Sequence, residues 1–109
     1  MDEVKSAPAR MAPKELVQAI LRDDLLLFRA AIDRGENPSE VFYEGMFALQ
    51  MCANYGSINV LLELLHNFDL DVWERGLSGH LPIDYALAKN YTDIYELLDS
   101  AMYPKEWWT

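Results

Sequence analysis

Two histidines, one cysteine and a short glycine-rich stretch are the residues of this chain best suited to chemistry. His66 and His80 lie in different segments, with no cysteine or further histidine at ligand spacing. A metal site is therefore not expected, and surface histidines are the simpler reading. Gly76-Leu77-Ser78-Gly79 invites a phosphate reading, because glycines let backbone N–H groups approach an anion. No lysine follows it and its surroundings are acidic, so the stretch reads as a turn. Asp69 and Asp71 read as part of an acidic loop, and Asp23-Asp24 as a junction between helices. There is no nucleophile elbow and no Ser-His-Asp or His-Cys arrangement. A lone cysteine cannot form an internal disulfide, and Cys52 sits in an apolar pattern as a small core residue. That usage fits a reducing compartment. The expectation is a protein that binds without catalysing, with no cofactor and no metal.

Charge narrows the partner. The formal net charge is −9. Residues 1–35 hold six acidic and six basic residues, so the excess lies beyond them, where twelve acidic residues face Arg75, Lys89 and Lys105. Such a surface repels phosphate backbones, so no nucleic-acid partner is expected. A basic protein surface is the natural complement, although solubility alone also accounts for the charge. The apolar runs are short, so no transmembrane helix is expected, and Met1 to Ala12 lacks the apolar centre of a signal peptide. The expected location is the cytoplasm, without a membrane partner.

These residues must be positioned by short helices. At 109 residues the chain reads as one domain. Residues 1–12 have no period and read as a flexible leader. Pro13 can open a helix whose apolar face is Leu16, Val17, Ala19 and Ile20. Asp23-Asp24 starts a second, with Leu25, Leu26, Leu27, Phe28, Ala31 and Ile32 as its buried stripe and Gly35 as a left-handed end. A third helix is expected over Met46 to Tyr55, with Leu49, Cys52 and Ala53 inward and Gly56 as its stop. Ser57 can cap a fourth carrying Ile58, Leu61, Leu62, Leu64 and Leu65. Pro82 to Lys89 and Asp93 to Ala101 form a final pair, separated by Asn90 and with Thr92 as a cap.

The pairs repeat. Leu16, Leu49 and Ile83 are spaced by 33 and 34 residues. In that register Ala19, Cys52 and Ala86 coincide, as do Asp23, Gly56 and Asn90, then Leu27, Val60 and Ile94, and finally Phe28, Leu61 and Tyr95. A pair too small to bury its own face must stack on the next. Small residues at 19, 52 and 86 let neighbouring helices approach.

The pattern resembles the ankyrin repeat over about Pro13 to Ala101. Gly79, Pro82, Ile83, Ala86, Asn90, Ile94, Leu97 and Leu98 match it in the third copy. Gly45, Leu49, Cys52, Ala53, Gly56, Val60, Leu64 and Leu65 match it in the second, and Asp71-Val72 matches the Asp-Val that closes a repeat. Phe47-Ala48 and Leu81-Pro82 replace the usual Thr-Pro, and Gln50 and Asp84 replace the histidine, so the hydrogen bonds of that tetrapeptide are expected to be altered or lost. The resemblance implies an all-α fold: helix-turn-helix repeats over about 13–40, 41–74 and 75–101, stacked as a short solenoid and joined by hairpin-like loops. Residues 102–109 form an aromatic tail, in which Trp107 and Trp108 either cap the stack or anchor a partner.

In that family the recognition surface comes from the hairpin tips and the exposed side of each first helix. Carried over by position, this selects Tyr43, Glu44, Met46, Asn54 and Tyr55 from the second repeat, and Arg75, Leu77, Ser78, His80 and Lys89 from the third, with Trp73 at the border. Aromatic, Met and Leu side chains at exposed positions are what an interface core contains. Packing of Tyr43 or Trp73 under its own loop is the competing reading. The resemblance implies a small acidic protein that occludes a target protein: an inhibitor, an immunity-type antidote or an adaptor, its compactness in keeping with a phage or bacterial source. The alternative is a structural protein, a monomer or weak homodimer, pairing through its end repeat and aromatic tail.

Overall fold

A computed structural model of the chain describes residues 14–104. The expected leader, the helix start at Pro13 and the Trp107-Trp108 tail lie outside the described residues. Helix α1 spans Glu15–Arg22 and buries Leu16, Val17, Ala19 and Ile20, the expected face. It ends at Asp23, whose φ of 52° is left-handed. Asp24 then caps α2 (Leu25–Asp33), accepting a hydrogen bond from Leu27 N at 3.0 Å. Leu26 departs from the expected stripe and is 79% exposed. Four consecutive apolar residues sweep a full helical turn, so one must face outward. The chain leaves α2 through Gly35 at φ 97°. Glu36 then reaches back and accepts a hydrogen bond from Leu16 N (3.2 Å), capping the start of α1.

Asn37 opens the connection by accepting from the backbone of Ser39 (3.0 Å), and Pro38–Glu40 form one turn of 3-10 helix. Strands β1 (Phe42–Tyr43) and β2 (Met46–Phe47) pair antiparallel, with Phe42 opposite Phe47 and Tyr43 opposite Met46. Glu44 and Gly45 make the two-residue turn, with φ of 50° and 80°. Positive φ at both central positions matches the right-handed twist of the strands. This hairpin corrects the expected helix start at Met46. Helix α3 runs Ala48–Tyr55, because Met46 and Phe47 are extended and paired with β1.

Helix α3 stops at Gly56 (φ 73°), α4 spans Ile58–Asn67, α5 spans Pro82–Lys89 and stops at Asn90 (φ 61°), and α6 spans Thr92–Met102. Asp23, Gly56 and Asn90, aligned in the repeat register, are therefore all left-handed. Two expected caps differ. The Ser57 hydroxyl donates instead to the carbonyl of Ile20 at the end of α1. The start of α4 is capped from outside: Asp23 accepts from Val60 N (2.9 Å) and Asn59 N (3.3 Å). Thr92 is already the first residue of α6, and Tyr91 precedes it as the cap position.

Gln50 and Asp84 hold the starts of α3 and α5 through side-chain hydrogen bonds. Gln50, 1% exposed, accepts from Phe47 N at 2.7 Å and donates to the carbonyls of Glu74 (2.7 Å) and His80 (3.2 Å). Asp84 accepts from Leu81 N at 2.8 Å. In both helices a side chain in the first turn closes back on the preceding N–H, the returning half of a capping box.

The packing follows from these ends. Each helix lies against its sequence neighbour in the pairs α1–α2, α3–α4 and α5–α6. Helix α3 also packs between α1 and α5, and α4 between α2 and α6, so the mostly helical chain forms two layers. Ala19, Cys52, Ala53 and Ala86 are fully buried where first helices meet. Phe28, Leu61, Leu64 and Leu98 fill the space between layers.

Candidate functional site

The hairpin tip gathers one group of the residues selected from sequence. Tyr55, the last residue of α3, reaches the tip, and its hydroxyl donates to Glu44 Oε1 at 3.3 Å. Partial burial pushes the Tyr55 phenol up from its ordinary pKa, and the Glu44 carboxylate adds to this. Tyr43 lies close enough to contribute, and the Asn54 side chain acts in the opposite direction.

The following loop closes over this tip. Leu77 N donates to the carbonyl of Gly45 at 2.8 Å. A Cβ on Gly45 would stand 3.0 Å from Leu77 Cβ, so the leucine lies directly over the turn while remaining 81% exposed. Tyr43, Glu44, Tyr55 and Leu77 thus form one surface of rings, a carboxylate and an aliphatic side chain. It sits on backbone held by Gln50 from beneath.

Beside it, Ser78 Oγ lies 2.9 Å from His80 Nδ1 and 3.1 Å from the Tyr85 hydroxyl. The His80 and Tyr85 rings meet edge-on at 5.9 Å. Arg75 folds back on its own loop, donating to the carbonyl of Gly79 at 2.6 Å. Lys89 is exposed at the end of α5, the position that Tyr55 holds on α3.

Two selected residues stand apart. Met46 is a correction: it is 5% exposed, because alternation along β2 turns it toward the core. Trp73 is 43% exposed and meets the Tyr103 ring edge-on at 5.4 Å, beyond the end of α6. Tyr85 joins the surface without having been selected. The signal available was a phenol at the position that Met51 holds in the second copy.

Among the described residues no cluster of histidine, cysteine, aspartate and glutamate could hold a metal ion. No helix among them is long and apolar enough to cross a membrane. Burial pushes the Cys52 thiol far above its ordinary range, so it is a core residue and not a nucleophile. No protein-family model matches the chain, and a search of curated proteins finds no match.

Proposed function

We propose that this chain is an ankyrin-like stack of three helix pairs, a short solenoid, that binds a target protein and occludes it without catalysing a reaction. The contact surface is Tyr43, Glu44, Tyr55 and Leu77, flanked by Asn54, Ser78, His80, Arg75 and Lys89. The observation carrying this reading is Leu77, held over the hairpin tip by its own N–H while 81% of its surface remains exposed. A large apolar side chain fixed in water beside two tyrosines has the make-up of an interface core. The excess acidic charge beyond residue 35 selects a basic partner surface and speeds encounter with it.

Capture of partners from the native host by the full chain tests this. Wild type retains a basic protein, and Leu77→Asp and Tyr55→Ala lose it while melting normally. Retention of the same partners by all three proteins refutes the surface. Self-association is favoured by one observation: Leu87, on the last helix pair, is 66% exposed. Light scattering of wild type and Leu87→Lys separates the two readings, since only self-association makes mass depend on Leu87.

A further inference from the structure

At the other end of α3 from Tyr55 lies a groove that the contact surface does not use. It sits between the α2–α3 and α4–α5 connections, is open to solvent, and has a cavity volume of about 100 Å³. Pro38, Phe47, Leu70 and Pro82 supply apolar lining, and its charged lining residues are Asp71 and Glu74. Both carboxylates belong to one tight turn. Glu74 N donates to the carbonyl of Asp71 (3.2 Å), and Asp71 Oδ1 accepts from Trp73 N (2.8 Å). Buried Gln50 pins the same turn through the carbonyl of Glu74. The nearest cation in sequence, Arg75, is committed to Gly79 and does not neutralise the pair.

A groove with apolar walls edged by two carboxylates, with no cation among the described residues that line it, is complementary to a side chain with an aliphatic stem and a cationic head. We propose that this groove takes an arginine presented by the partner protein, its guanidinium between Asp71 and Glu74 and its stem over Phe47 and Pro82. Arginine fits better than lysine, because its planar head is more weakly hydrated and can engage two carboxylate groups at once. The turn is held before binding, so little ordering is lost. The inference rests on the proposed reading only in taking the occupant from a basic protein partner.

The test is an amide-resolved NMR titration of the full chain with N-acetyl-arginine amide, with N-acetyl-norleucine amide as the uncharged stem. The arginine probe should produce saturable shifts confined to residues 47–50 and 70–74, and norleucine should not. Glu74→Gln should weaken the arginine response about tenfold, the worth of one charge-assisted hydrogen bond. Asp71→Asn retains the acceptor for Trp73 N, so its spectrum should stay folded while its response falls similarly. Absence of saturable shifts, an equal response to norleucine, or an unchanged Glu74→Gln titration overturns the proposal. Leu77→Asp should leave this titration intact. A failed titration beside intact, Leu77-dependent capture therefore rejects the groove alone, and the reverse result rejects the contact surface alone.

Discussion

Gly76 shows how a single residue carries structure that its backbone angles do not announce. Its φ lies outside the left-handed range, yet an added Cβ would stand 2.7 Å from the Gly45 carbonyl oxygen and 2.9 Å from Gln50 Oε1. Gly79 is the reverse case, with φ 87° and open space around it. Gly76→Ala should cost about 1–3 kcal/mol through overpacking. Gly79→Ala should cost only about 1 kcal/mol, from the left-handed backbone. Thermal melts of the two variants check the ordering, and a more stable Gly76→Ala would show that the loop does not rest on the hairpin tip. Glu44 is a second such residue. It holds φ 50° at a turn position that favours asparagine or glycine. Glu44→Asn should stabilise the chain by roughly 0.5–1 kcal/mol while weakening partner capture. That pairing of signs in melts and capture is expected of a residue kept for contact and not for folding.

At the scale of elements, the left-handed residue that ends α1 also starts α4. The Asp23 carboxylate accepts the orphan N–H groups of Asn59 and Val60, and Ser57 returns a hydroxyl to the end of α1. The corresponding junction between the second and third helix pairs is apolar, with the Tyr91 ring 3.2 Å from where a Gly56 Cβ would stand. Neighbouring pairs are thus joined once by polar caps and once by a ring on a glycine. Asp23→Gly keeps the backbone conformation and removes the cap, so it should lose about 1–2 kcal/mol in urea denaturation. Asp23→Asn keeps both the acceptor and the tolerance for positive φ, and should lose less than about 0.5 kcal/mol. Equal losses would mean that the charge of Asp23, and not its cap geometry, holds the junction.

At the scale of the molecule, charge acts on folding and on binding with opposite signs. With a net charge of −9, the folded chain repels itself, and the basic partner proposed above would relieve that repulsion. Raising salt from roughly 10 to 300 mM shortens the Debye length several-fold. The melting temperature should therefore rise by a few degrees while partner capture weakens. A melting temperature that falls with salt would contradict the self-repulsion account. The same comparison made on Glu74→Gln should show a smaller salt effect on capture.

Much of this architecture was legible in residue types. The stripe of α1, the buried Leu61 and Leu64 of α4, the left-handed stops at Asp23, Gly56 and Asn90, and the small residues between first helices follow from period and backbone sterics, which act within a few residues. The Met46 helix start and the Leu26 stripe were misread because a four-residue pairing and the sidedness of an apolar run depend on what lies opposite. Ser57 and Thr92 differ as caps for a related reason: the donors at the start of α4 are met by Asp23 from another helix pair, and the cap position of α6 lies one residue before Thr92. Contacts at long separation were the illegible part. Asp23 meets Val60, Gln50 reaches Glu74, Leu77 lies over Gly45 and Trp73 meets Tyr103. Most helices, most of their ends and the acidic surplus are local or additive properties of the chain. Which rings and carboxylates share a surface is a matter of packing, because side chains tens of residues apart become neighbours only when the layers meet.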